Sequence, residues 1–312
     1  MSIPHEHHDH DVILEPPRLQ EIADGIFAYM QPDWTWMINN TGFLVGPDGV
    51  TVVDTCATEP RTRAFIQSAR TVTDKPLRTL INTHHHGDHT YGNSFLPDAT
   101  IIGHEKCREE AIQTGLSLKV LFPTANYGDI KVRPPFVTFE DRINVYVGDL
   151  KLEVFHVGPA HTTNDIVVWV PEKKVLFTGD IVFKNCTPFV MQGAIASYFG
   201  ALDRLRALGA EVIVPGHGPV CGPEAFDEVE EYLHFVQDTA RQGFEAGITP
   251  LELARETDLG KFAGLSDPER IVGNFHRAYS ELRGEPLGTP LPLLQVVKES
   301  ESLMGHPLRC YA

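Results

Sequence analysis

The chain has 312 residues, 42% of them hydrophobic, which is enough to bury the core of one large domain with an appendage. It carries 42 acidic against 26 basic residues, a net charge of −16. Such a field repels phosphate backbones, and no basic face is evident, so nucleic-acid partners are set aside. No run approaches the roughly 18 apolar residues of a membrane helix, so no membrane partner is expected. The five cysteines, Cys56, Cys107, Cys186, Cys221 and Cys310, form no CxxC pair and read as reduced thiols of a cytoplasmic protein.

Residues 1–18 are polar, include His5, His7, His8 and His10, and read as a disordered tail without a secretory core. From Ile22 onward, Val-, Ile- and Phe-rich runs alternate with turn signals. GIFAYM, MINNTGFLVG and VTVVD read as successive strands, the last two joined by a turn at Gly46 to Gly49. A helix over 61–72, the buried strand LRTLINT and a helix over 107–119 follow. Strands are expected at 136–139, 143–147, 151–156, 165–170 and 174–178, then a helix over 197–208 and a last strand, EVIVPG.

After Gly222 the strand signal stops, and helical periodicity covers 223–245, 251–256 and 268–283. The proline-interrupted stretch from Gly284 onward gives no clear element. The expected organisation is a catalytic domain over 19–222 and a helical extension and tail over 223–312. Strands and helices alternating twice predict an α/β fold, a four-layer αββα sandwich.

The run Asn82-Thr83-His84-His85-His86-Gly87-Asp88-His89 follows directly on a buried strand. In extended backbone, alternate side chains share a direction, so His84 and His86 can reach one ion while His85 points away. Gly87 permits a sharp turn that lets Asp88 and His89 face a neighbouring ion. Three further segments release a candidate ligand at a strand end: Gly158-Pro159-Ala160-His161, Thr178-Gly179-Asp180 and Pro215-Gly216-His217. Imidazole with carboxylate suits two divalent cations, zinc foremost, with manganese and iron as alternatives.

This HxHxDH run, followed in order by His161, Asp180 and His217, resembles the metallo-β-lactamase superfamily over roughly Ile22 to Val220. The resemblance implies His84, His86 and His161 on one metal, with Asp88, His89 and His217 on the other and Asp180 bridging. It also implies that Asp54 orients the ligand loop, and that Asp88 both ligates and orients the attacking water. Common zinc β-lactamases often carry cysteine where Asp180 stands, and aspartate moves the chain toward thioesterase, lactonase and glyoxalase-like branches. Further stretches, among them IIGHEKCREEAIQTGL, VGPAHTTNDIVVWVPEKKVLFTGD, TPFVMQG and TPLELARETDLGKFAGLSDPERIVGNFHRAYSEL, resemble aromatic polyketide second-ring cyclases.

That likeness implies carbonyl polarisation for ring closure and thioester hydrolysis. The substrate would be a small-molecule ester or thioester, in the latter case borne on a carrier protein or coenzyme A. Trp34, Trp36 and Met37 would overhang the metals in a hairpin loop, with Phe122, Tyr127, Phe136, Phe189 and Met191 as further candidate cavity residues. Lys131 with Arg133, and Lys173 with Lys174, are the basic pairs nominated for carrier docking. Other readings are a lactonase, a glyoxalase-like thioesterase, a β-lactamase, or a non-catalytic binding protein that retains its metals. The oligomeric state stays open, homo-oligomers included.

Overall fold

The computed structural model describes residues 15–312; the expected histidine-rich tail therefore lies almost wholly outside the described residues. Among the described residues the strands form two sheets. The first contains, in spatial order, β1 (Arg18–Ala23), β2 (Ile26–Met30), β3 (Thr41–Val45), β4 (Val50–Val53), β5 (Leu77–Ile81), β6 (Thr100–His104) and β7 (Val137–Phe139). It is antiparallel from β1 to β4 and parallel from β4 to β7. The second sheet holds β8 (Arg142–Val147), β9 (Leu150–His156), β10 (Ile166–Val170), β11 (Val175–Phe183) and β12 (Val212–His217), with only β11 and β12 parallel.

Period-two alternation sorts the side chains of each strand. In β2, Ile26 and Ala28 face the second sheet, where they join Leu44, Ile81, Val154, Ile166, Val168 and Phe177 in the inter-sheet core. Phe27 and Tyr29 turn the other way and pack with Phe43, Phe65 and Leu80 beneath α1 (Glu59–Arg70). On the far side, Val167, Trp169, Leu176 and Ile213 pack under α5 (Ile195–Arg206), α6 (Glu224–Ala246) and α8 (Arg270–Leu282). The expected αββα layering is what the chain adopts.

Several boundaries differ from the sequence reading. The strands β1, which opens at Arg18, and β6 had no signal there. The helix expected over 107–119 is broken: α3 (Glu105–Thr114) ends at Gly115, whose φ is +55°, and a short α4 (Leu118–Leu121) follows. Asp180 stands inside β11, not beyond its end, because the strand runs on to Phe183 through a register shift around Gly179. The C-terminal region adds α7 (Pro250–Glu256) and the unanticipated α9 (Leu293–Met304). Among the described residues no helix is long and apolar enough to cross a membrane.

Candidate metal centre

Asp54 follows β4 with φ +59°, a left-handed conformation that is costly for a residue other than glycine. That backbone turn aims its carboxylate at the loop after β5. One oxygen accepts the Thr83 amide at 2.7 Å; the other accepts the Thr83 hydroxyl at 2.7 Å and meets His89 Nδ1 at 2.8 Å. His89 is held from its backbone as well, its carbonyl accepting from the Thr55 amide and hydroxyl and from the Asn82 side chain. The loop Asn82–His86 then enters α2 (Gly87–Thr90), a single turn carrying Asp88 and His89.

Gly87 serves this turn differently from the sequence expectation. Its φ is not positive; a Cβ there would lie 2.4 Å from the Tyr91 ring, so close packing and not backbone freedom requires glycine. Gly216 is required in the same way, since a Cβ there would sit 1.8 Å from Asp180 Oδ1.

Two groups of ligand-type side chains result: His84, His86, His161 and Asp180, and Asp88, His89, Asp180 and His217. Within each group the candidate ligand atoms all lie within 4.8 Å of one another. Asp180 belongs to both, with Oδ2 3.3 Å from His161 Nε2 and 3.4 Å from His217 Nε2, and Oδ1 3.1 Å from His89 Nε2. Asp88 Oδ2 lies 3.3 Å from His217 Nε2. His85 stays out of both groups: its Nδ1 faces the Asn164 amide at 3.0 Å and Glu110 at 3.4 Å.

The residues fit two cations by three observations. His84 Nε2 is buried without any hydrogen-bond partner, and His89 Nε2 and Asp180 Oδ1 are buried facing only each other, a cost that a ligated ion removes. Four of the five imidazoles have their second nitrogen engaged: His84 with Thr83 Oγ1, His86 with Gln192, His89 with Asp54 and His161 with the Phe189 carbonyl. Such partners fix ring orientation at metal sites. At three of the five imidazoles protonation also suits ligation, since burial depresses His84 strongly, His161 to about 3 and His86 to about 4, which keeps their lone pairs free.

Burial alone would push Asp180 and Asp88 upward. The surrounding imidazoles, His217 and His89 first among them at Asp180 and His89 first at Asp88, outweigh it and hold both carboxyls ionised. At His89 and His217 the balance tips the other way: burial lowers both, but Asp180 and Asp88, joined at His89 by Asp54, raise them. Five imidazoles and two carboxylates with no thiolate match zinc and other borderline divalent ions.

Both groups open on one cavity. Trp36, Met37, Phe189 and Met191 line it, as does Phe122. Trp34 does not; it is half-buried outside the lining, with φ +58°. Tyr127 packs with Tyr91 and Ile130 outside the cavity lining, and Phe136 is 82% exposed. The nominated basic pairs are already engaged: Arg133 donates to the carbonyls of Asn93, Leu96, Pro97 and Ala99, Lys131 pairs with Asp129, Lys173 with Glu172 and Lys174 with Glu211.

The sequence reading missed Gln192, Phe183 and Arg270, whose guanidinium lies 4.5 Å from the Trp36 ring centre, and the apolar wall from α9. The i, i+3, i+4, i+7 spacing of Leu293, Val296, Val297 and Ser300 was the available signal for that wall.

Comparison with known proteins bears on this centre. The chain is 25% identical over 317 residues to the linear primary-alkylsulfatase of a Pseudomonas species, covering 84% of this chain and 60% of that protein. It is 27% identical over 205 residues to the alpha subunit of 2,4-dinitroanisole O-demethylase from a Nocardioides species, covering 64% and 55%. It is 33% identical over 141 residues to hydroxyacylglutathione hydrolase of Gloeothece citriformis, covering 42% and 46%. The chain thus spans 60% or less of the length of these curated relatives. Among solved structures, a metallo-beta-lactamase from Pontibacter korlensis superposes with a TM-score of 0.59 at 20% identity, covering 70% of this chain and 99% of that one. That likeness carries the fold. The family model of the metallo-beta-lactamase superfamily matches residues 34–217, a span that contains every side chain of both ligand groups, and the chain belongs to that superfamily.

Proposed function

We propose that this protein is a dinuclear metal-dependent hydrolase of a thioester whose acyl part is apolar and aromatic, in the manner of a polyketide cyclase/thioesterase. The observation that carries the reading is the joining of two His/Asp groups to a cavity walled by Trp36, Phe122 and Phe189. His84, His86 and His161 would hold one ion and Asp88, His89 and His217 the other, with Asp180 shared. When bound, the ions supply Lewis acidity to a water and to the scissile carbonyl.

The remaining work falls to side chains. Asp88, at the cavity surface, orients the attacking water and accepts from it. Asp54 keeps His89 in one tautomer and orientation through Nδ1. Trp36 receives the acyl chain, its indole nitrogen donating to Glu269 at 2.8 Å and its ring meeting Phe189 edge-on at 5.1 Å. A thiol of pKa about 8.5 leaves without full protonation, so the step does not depend on an acid at the leaving group.

A second reading has its own support. The alkylsulfatase relative aligns over 84% of this chain, and an alkyl sulfate is likewise an ester with an apolar chain. Metal-loaded protein is therefore tested by kcat/KM on an aryl β-ketoacyl thioester, a homoserine lactone, a nitrocefin-type β-lactam and dodecyl sulfate. The thioester is expected to be cleaved fastest. Brisk turnover of the sulfate, lactone or β-lactam beside a silent thioester would reassign the substrate, and no turnover of any would make the protein a binder that retains metals.

A further inference from the structure

The cavity is lined by two kinds of side chain. Trp36, Phe122 and Phe189 supply an aromatic part, and Leu293, Val296 and Val297 of α9 an aliphatic wall, while Leu308 beyond α9 packs with Trp36 and Phe122. The aliphatic wall lies wholly outside the 34–217 span that matches the family model.

This wall is fastened in place. The Ser300 hydroxyl donates to the Glu269 carbonyl at 3.3 Å, and His276 Nε2 meets Glu299 at 2.6 Å, tying α9 to α8. Before α9, the fully buried Arg277 donates to the carbonyls of both Thr289 and the cavity residue Met191. After it, Arg61 of α1 donates to the Tyr311 carbonyl at 2.7 Å. Glu269, 5% exposed, touches both walls: its carboxylate accepts the Trp36 indole N–H and its carbonyl accepts Ser300. One residue therefore sets the spacing between the aromatic and aliphatic sides. The wall is thus fastened at its middle and on both flanks.

We propose that α9 and Leu308 form a ruler for the apolar chain of the substrate, with Glu269 as the positioning residue that sets the width of the slot. This rests on the esterase reading above for the reaction, but the ruler acts on any ester whose apolar chain enters the slot. Val297 is the residue to vary, being half-buried on the cavity face where Val296 is fully buried in the core.

The test is the dependence of kcat/KM on chain length, measured on metal-loaded wild type, Val297→Trp and Val297→Ala. The substrates are straight-chain acyl thioesters from acetyl to dodecanoyl and, in parallel, alkyl sulfates of matching length. Each methylene that reaches the slot is expected to raise wild-type kcat/KM about fourfold, the equivalent of its burial, until the slot is full. Val297→Trp should bring that plateau to a shorter chain and Val297→Ala should move it to a longer one, in both cases through KM. Glu269→Ala should flatten the dependence and Glu269→Gln, which keeps an acceptor for Trp36, should restore most of it.

Variants that shift every length by one common factor, or leave the plateau where wild type has it, would overturn the ruler. A silent thioester series beside a sulfate series with the expected plateau shifts would overturn the thioesterase reading and leave the ruler standing. Should neither series turn over, tryptophan-fluorescence titration with fatty acids of the same lengths replaces it. The same displacement among the three proteins then supports the ruler, and length-independent binding defeats it.

Discussion

The sandwich and the C-terminal helices meet at one cavity but bring opposite materials to it. Every candidate metal-ligand side chain lies in the sandwich, all but the partly buried His86 are buried, and Thr83, Gln192 and Asp54 meet the rings of His84, His86 and His89. The helices beyond Gly222 bring Leu293, Val296 and Val297 and a structural arginine, Arg277, but no member of either group. Strand ends suit the first task because a sheet fixes its backbone from both sides, so a ligand there is placed with little freedom. A helix face suits the second, since residues at i, i+3 and i+4 make a continuous apolar surface. Both candidate ligand groups therefore lie in the sandwich alone, whereas the cavity lining draws on both regions.

Substitution on the sandwich side should produce the largest effects. Asp180→Ala removes the one side chain common to both groups, so metal content should fall well below two equivalents per chain and turnover should vanish. His86→Ala should empty one group preferentially. Metal analysis of purified protein decides this, and either variant retaining two ions with full activity would contradict the dinuclear reading. Asp88→Asn keeps the shape of the side chain and removes its charge. In metal-replete protein, turnover should drop at least ~10²-fold, and an unchanged kcat would deny Asp88 its part in orienting water.

A smaller loss is expected one step back from the ligands. Asp54→Ala deprives His89 Nδ1 and Thr83 of their shared partner, and metal affinity should fall about 10–100-fold. A competitive chelator titration reads that affinity, and a variant as tight as wild type would show that Thr55 and Asn82 hold the loop without it.

The smallest effect belongs to the cavity wall. Trp36→Ala should cost about 1–3 kcal/mol in handling an aromatic acyl chain, from lost stacking and burial, and far less for a small generic thioester. Equal losses on the two substrates would erase the division between ligand groups and cavity lining, since Trp36 would then be supporting the centre itself.

How much of this was legible in the sequence follows from how local each signal is. The run from His84 to His89 declares its chemistry within six residues, and the strands around it are long enough to alternate visibly. By contrast β1, RLQEIA, is an edge strand whose polar side chains are mostly exposed, so it shows no apolar alternation. β11 looked complete at Thr178 because Gly179 reads as a breaker, whereas φ +52° there merely shifts the register and the strand resumes. Pro290 and Pro292 hid α9, although a proline just before a helix is compatible with its start.

By itself the sequence determined the seven metal-ligand candidates and their order, and the layered α/β architecture, because both are written in local spacing and period. Only the tertiary structure decided which side chains meet. His84 and His217 stand 133 positions apart, and their shared neighbour Asp180 is brought between them by the parallel pairing of β11 with β12 and the packing of the two sheets. It also left Trp34 outside the cavity while keeping Trp36, and it brought α9 to the cavity lining. Pair contacts of that kind depend on where whole elements dock, and docking is set by the summed burial of faces distant in sequence.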